Sequence, residues 1–399
     1  MTEIEARKRL CSILEGLNPY AIKLGLDRVE HFLSKLGNPQ NDFPSILVGG
    51  TNGKGSVCQY LTDCLVHSGF SVGTYTSPHL ILLNERIKIN NRSVDFASLL
   101  DYAEFIRRID FDGLTYFEFL TVLAFLVFKE YGVDMAVLEV GMGGEFDATN
   151  VVEPIVSVIT SISKDHEEHL GDSLVDIAAT KSKIIKKVGV VSRNPEIVVE
   201  TIKRTVSAPL YFVDEVYIER AKKLNVGRFV SLDNVAVSIL ALDVLKNKYG
   251  FRAGFEAMKR SFLPARFEII KVNGKTVVID GAHNVEGLRN LKAQLKSRIK
   301  KLGRAALVFS SLKTKNWQDG LSEIVDVFEF LCFVKTKNRL SEEPENLARF
   351  VRGLNRKQMI LINKDVNDCI NNLLSSSFDT IVFAGSLYLA GEALACLVE

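Results

Sequence analysis

Paired cysteines are the first thing this 399-residue chain lacks. Its six (Cys11, Cys58, Cys64, Cys332, Cys369, Cys396) are scattered, and no two stand in CxxC spacing. That spacing excludes a zinc knuckle or a thioredoxin-like redox pair and points to a reducing compartment. An excess of charge is also missing: 50 basic residues face 48 acidic ones, for a net charge of +2. Nothing electrostatic therefore calls for a nucleic acid or a membrane surface as partner. The most apolar stretch, residues 119–128, is closed by Lys129 and Glu130 and is too short to span a bilayer. It reads as a buried helix. The opening MTEIEARKRL has no apolar run of the signal-peptide kind. There is no internal repeat or low-complexity tract. These absences leave a cytoplasmic protein acting on small molecules as the expectation.

What is present fits that expectation. The chain is 47% hydrophobic and 25% charged, the balance of a globular enzyme, and its length suits two domains better than one core. Short apolar runs at 45–48, 71–75, 134–140, 155–160, 188–191 and 210–213 alternate with helix-period segments at 57–67, 117–131 and 173–186. Such alternation predicts an α/β domain with a mainly parallel sheet. The grammar restarts near Pro264. Residues 267–272 and 275–280 flank Asn273-Gly274 and read as a hairpin, because Asn-Gly supplies the positive backbone angles of a tight turn. Helices at 285–299, 320–328, 345–354 and 366–375 then alternate with strands at 305–309, 330–335, 358–362 and 380–383. This predicts a smaller, doubly wound, Rossmann-like unit. The expected division is residues 1–263, a phosphate-loop domain, and 264–399, the smaller one.

The strongest local signal runs from Ile46 to Ser56. An apolar strand enters Gly49-Gly50-Thr51-Asn52-Gly53, followed by Lys54, Gly55 and Ser56 at the start of a helix. Glycines let backbone N–H groups approach phosphate oxygens, the helix N-terminus adds a favourable dipole, and Lys54 adds a point charge. Ser56 stands where a hydroxyl could reach a nucleotide-bound metal. The strict phosphate-loop pattern is not met, because it needs glycine at Val48 and Ser or Thr at Gly55.

This GTNGKGS variant resembles the phosphate loop of the Mur ligase superfamily. Further segments resemble, in order, the folylpolyglutamate synthase and dihydrofolate synthase family within it. They are Gly25-Leu26-Asp27-Arg28, Thr76-Ser77-Pro78-His79-Leu80, Asn84-Glu85-Arg86-Ile87, Leu114-Thr115-Tyr116-Phe117-Glu118-Phe119, Leu138 to Gly144, Asp147-Ala148-Thr149-Asn150 and Asp165-His166. The second domain adds Arg266-Phe267-Glu268, Asp280 to Asn284 and Gly385 to Leu389. The resemblance covers nearly the whole chain.

It implies a ligase that uses ATP and Mg²⁺ to phosphorylate a carboxylate and then joins L-glutamate to it, the acceptor being a folate or dihydropteroate. It assigns Thr51, Asn52, Gly53, Lys54, Gly55, Ser56 and Asn234 to the nucleotide, and Ser77, Glu139 and His166 to metal. It places at Lys181 a lysine that known members carry as a carbamate, an extra anionic ligand for a second metal; Lys181, His166 and Glu139 are thus the catalytic candidates. It assigns Thr115, Phe117, Asp147 and Ala148 to the pterin, and Arg266, Asp280, His283 and Asn284 to the ATP side of the second domain. It also implies a monomer. The residues alone allow blander readings. Ser77-Pro78 could simply start a turn, Phe117 could be core, and Lys181 could belong to a solvated basic face with Lys183, Lys186 and Lys187. Five positions depart from the pattern. Glu145 replaces an arginine, Thr180 and Lys183 replace a glutamate and a glycine, Ser231 replaces a glutamine and Ala265 replaces a glycine. Rival expectations are a Mur-type ligase with another acceptor, a P-loop regulatory nucleotidase, and an inactive relative.

Overall fold

Five consecutive apolar or small residues with no polar alternation are the signature of a strand covered on both faces, and Ser45–Gly49 (β1) is buried at all five. In the computed structural model, which describes residues 1–18, 23–109, 113–165, 170–227, 231–252, 254–297, 303–354 and 358–398, β1 lies inside a sheet. Its neighbours are Val72–Tyr75 (β2), Ile87–Ile89 (β3), Arg92–Ser93 (β4), Met135–Glu139 (β5), Val156–Ile159 (β6), Gly189–Val191 (β7) and Leu210–Phe212 (β8), in the order β4-β3-β2-β5-β1-β6-β7-β8. β1 pairs in parallel with β5 and β6, setting Val48 opposite Glu139 and Gly49 opposite Ile159. Alternate side chains feed two cores. Leu47 and Leu138 join one with Phe119 and Phe125, while Ile46, Val48 and Val137 join the other with Val57 and Leu61. The C-terminal ends of β1 and β5 thus lie side by side, so the glycine-rich loop and Glu139 leave the sheet together.

The second sheet holds Glu268–Val272 (β9), Lys275–Ile279 (β10), Ala305–Phe309 (β11), Phe330–Val334 (β12), Met359–Asn363 (β13) and Thr380–Ala384 (β14), in the order β13-β12-β11-β14-β10-β9. Only β9 runs antiparallel, joined to β10 through Asn273 and Gly274, which take φ of 49° and 78°. By contacts the chain forms two units, Met1–Phe262 and Leu263–Glu399.

Some elements differ from the sequence expectation. The helix expected over 173–186 is Leu174–Ser182, because the Ile184 carbonyl is taken by the Ser157 hydroxyl at 2.6 Å and leaves the helical ladder. The helix expected from residue 320 begins at Trp317, where Asn316 supplies the cap, and gives way to a short 3₁₀ turn at Val325–Val327. The β3–β4 hairpin was not expected. Its strands are too short for a period to show, although Asn90 and Asn91, with φ of 50° and 66°, form its turn. Cys332 and Cys369, far apart in sequence, bring their sulfurs within 2.7 Å inside the second unit as free thiols. Among the described residues, no helix is long and apolar enough to cross a membrane.

Candidate active site

The loop after β1 is built for close approach. Gly50 has φ 134°, and a Cβ there would collide with the Thr160 hydroxyl; Gly53 has φ 93° and is packed in the same way under the Asn234 amide. Both positions need glycine. The loop is strapped to the segment after β6. Thr51 N donates to Ser161 O at 2.7 Å, Thr51 Oγ1 donates to Ser163 O at 3.0 Å, and Ser161 Oγ donates to Asn52 O at 3.3 Å. Gly53 is the N-cap of the helix Lys54–His67, with Gly55 and Ser56 in its first turn. The unpaired N–H groups of that turn and the helix dipole favour an anion here.

Two lysines reach this loop. Lys54 Nζ donates to Gly50 O at 3.2 Å and to Thr51 O at 3.1 Å, and Lys181 Nζ donates to the same Gly50 O at 3.1 Å. Lys181 is 4% exposed. The solvated-face reading therefore fails for Lys181, while Lys183 and Lys187 are exposed and Lys186 is half-buried. Lys183 pairs with Glu145, and Lys186 donates to the carbonyls of Asn150 and Val152.

Glu139 closes β5 as a buried carboxylate, and its Oε2 accepts the Ser77 backbone N–H at 3.1 Å. A Cβ on Gly55 would lie 3.6 Å from the same oxygen, so the carboxylate faces the first turn of the phosphate-loop helix. Among the described residues no cluster of three His, Cys, Asp or Glu side chains forms a metal cage. A single carboxylate with a serine hydroxyl beside a phosphate loop suits Mg²⁺, which keeps waters and takes phosphate oxygens rather than an all-protein cage. The donors present fit that ion. His166 lies outside the described residues.

The pterin candidates line the next stretch of the same sheet edge. Thr115 caps the helix Tyr116–Glu130 in a capping box with Glu118, whose carboxylate also pairs with Arg28 at 2.9 Å. The Phe117 ring centroid is 5.9 Å from that of Tyr75, and a Cβ on Gly141 would fall 2.6 Å from its Cζ. The half-buried ring is thus held between Tyr75 and the loop after Glu139, with Gly141 making room. Asp147 is buried; it accepts from Met142 N at 2.9 Å, Thr149 N at 3.0 Å and Thr149 Oγ1 at 2.6 Å. Burial pushes its carboxyl above the ordinary range against those hydrogen bonds. Ala148 follows it, buried. Two residues quoted only as parts of motifs prove to be partnered. Arg86 Nε donates to His79 Nδ1 at 2.9 Å, and its guanidinium lies 5.7 Å from the Tyr116 ring centroid. Their spacing in sequence gave no sign of this contact.

In the second unit, Asp280 stands just after β10. Its Oδ2 accepts Phe267 N and its Oδ1 accepts Ala282 N, both at 2.7 Å. Burial raises this carboxyl, and the charge of Arg266 opposes the rise. His283 Nδ1 lies 2.9 Å from Gly281 O, and Asn284 caps the helix Val285–Lys296 by accepting Gly287 N at 2.8 Å. Arg266 is exposed. Asp280 thus fixes the backbone just after Arg266 and just before His283. Of the departures, Ala265 takes φ 56°, the conformation for which glycine is suited, and Ser231 caps the helix Leu232–Tyr249 that carries Asn234.

Comparison with known proteins gives the family. Residues 48–208 match the model of the Mur ligase middle domain, and residues 265–387 match that of the Mur ligase glutamate ligase domain. The chain is 30% identical to the dihydrofolate synthase/folylpolyglutamate synthase of Bacillus subtilis, over 96% of each chain. It resembles a solved folylpolyglutamate synthase of Mycobacterium tuberculosis complexed with ADP, with TM-score 0.86, 25% identity, and coverage of 100% and 99% of the two chains. It also resembles a solved bifunctional folylpolyglutamate synthase/dihydrofolate synthase with Mn, AMPPNP and L-glutamate bound, with TM-score 0.82, 25% identity, and 98% and 97% coverage.

Proposed function

Because the chain belongs to the folylpolyglutamate synthase and dihydrofolate synthase family of Mur ligases, we propose that this ATP-dependent ligase adds L-glutamate to dihydropteroate, to a folate, or to both. The observation that carries the site assignment is the convergence of Lys54 and Lys181 on the Gly50 carbonyl, beside a glycine-rich helix start faced by Glu139.

The chemistry joins two anions, a triphosphate and a carboxylate. The acceptor carboxylate oxygen attacks the γ-phosphorus, the bond to the bridging oxygen breaks, and ADP leaves. The amine of glutamate then attacks the acyl carbon, phosphate departs, and the amine's proton is lost to solvent or base. The loop N–H groups of residues 51–56 and Lys54 orient the phosphates and offset their charge. Glu139 and Ser77, with His166, would hold Mg²⁺, which neutralises charge building on the transferring phosphoryl group. Asn234 borders the loop through Gly53. Phe117 offers a flat apolar face for a pterin ring, and Thr115, Asp147 and Ala148 its edge. By the family resemblance Arg266, Asp280, His283 and Asn284 are assigned to the nucleotide, and an exposed arginine such as Arg266 has the forked geometry that suits a phosphate. Lys181 serves as the carbamate-bearing candidate. We place the enzyme in the cytoplasm as a monomer that uses no nucleic acid.

Product mass tests the acceptor. With Mg²⁺, ATP and glutamate, a glutamyl gain on dihydropteroate establishes the dihydrofolate synthase reaction, and a gain on a reduced folate establishes polyglutamylation. ATP binding without either gain would assign a different carboxylate acceptor.

A further inference from the structure

Two of the departures from the family pattern meet each other. Glu145 Oε1 lies 2.6 Å from Lys183 Nζ. Around that pair, the backbones of the two segments are in direct contact. Glu145 N donates to Thr180 O at 3.2 Å, and a Cβ on Gly144 would fall 2.8 Å from Thr180 O and 3.0 Å from the Lys181 Cα. A second strap follows, in which Asn150 Nδ2 donates to Glu145 O at 3.1 Å while Lys186 donates to the Asn150 and Val152 carbonyls at 2.8 and 2.7 Å. The segment bearing Asp147 and Ala148 is therefore fastened to the end of the helix Leu174–Ser182, whose Lys181 reaches back to Gly50 O.

We propose that the Glu145–Lys183 ion pair is a positioning clamp that holds the turn carrying Lys181 against the phosphate loop. The two substitutions belong together. Glu145 alone would leave an uncompensated anion beside a site for anions, and Lys183 supplies the missing cation at a helix C-terminus, where a cation is favoured. The side chains are 28% and 45% exposed, respectively, so the pair acts with the modest strength of a partly solvated ion pair. The inference rests on Lys181 serving the nucleotide site, as proposed above.

The test is calorimetric binding of a Mg²⁺-loaded, non-hydrolysable ATP analogue, which needs no acceptor and no turnover. Failure of the folate reading would show only in the wild-type product assay, so the two outcomes stay separate. Glu145→Ala and Lys183→Ala are each expected to weaken binding about 2- to 5-fold. The exchange Glu145→Lys with Lys183→Glu is expected to recover affinity to within about 2-fold of the wild type, at an unchanged melting temperature. In a Lys181→Ala background, Lys183→Ala is expected to cost nothing further, which a merely structural role would not produce. The inference is overturned by single variants that bind like the wild type, by an exchange no better than the singles, or by a full loss persisting without Lys181.

Discussion

The backbone N–H of Ser77 donates to Oε2 of Glu139 at 3.1 Å, joining the loop after β2 to the end of β5. β2 and β5 are parallel neighbours, so their C-terminal loops emerge together, and the sheet edge brings Ser77 and the Glu139 carboxylate to one place. If this pair holds Mg²⁺, Glu139→Gln keeps the shape and removes the charge. The Mg²⁺ concentration for half-maximal ADP formation should rise at least about tenfold. An unchanged titration would remove Glu139 from the metal site.

Lys54 is a charge at the start of the helix beneath the phosphate loop. Lys54→Ala should lower kcat by about 10²- to 10³-fold, as loss of a preorganised positive group at a phosphoryl-transfer site does. ATP turnover near the wild-type rate would dismiss the phosphate-loop assignment.

Ala265 has φ 56°, with its N–H on Glu268 Oε2 at 2.9 Å and its carbonyl accepting Gly281 N at 2.8 Å. Those bonds hold an L-residue in a conformation that costs it about 1–2 kcal/mol. Glycine removes that strain but loses more chain entropy on folding. Ala265→Gly should therefore stabilise the second unit by up to about 1 kcal/mol, seen as a higher denaturant midpoint. A lower midpoint would show that the strain is absent.

How much of this was legible in advance varied with the kind of signal. The central strands were, because β1, β5 and β6 are mostly apolar runs without polar alternation, buried throughout. So was the phosphate loop, where strand, glycines, lysine and helix stand consecutively. Lys181 could be assigned only by resemblance. Three more lysines follow closely at 183, 186 and 187, and the fact that Lys181 turns inward to Gly50, 131 positions away, is a tertiary outcome. The Glu145–Lys183 pairing was hidden for the same reason. Each residue looked like an isolated departure until the loop and the helix end were seen in contact.

His79 is held well below its ordinary range, at about 3, chiefly by burial and then by the Arg86 charge. An imidazole kept neutral in the fold takes up a proton first in the unfolded chain. Its stabilising contribution is complete above the unfolded value near 6.5 and is lost as pH falls from there towards 3. The unfolding free energy should decline over that window by at most about 1.4 kcal/mol per pH unit from this group, read from denaturant titrations. His79→Gln, which retains an acceptor for Arg86, should flatten that limb. An equally steep limb in the variant would assign it to other groups.

The most direct measurement follows ADP, phosphate and glutamylated product together in one reaction containing Mg²⁺, ATP, glutamate and dihydropteroate or a reduced folate. Equal amounts of all three, forming only when acceptor and glutamate are both present, are the result expected of a ligase that passes through an acyl phosphate. Phosphate release that proceeds at full rate without glutamate, with no product mass gain, would contradict it and leave a nucleotidase in its place.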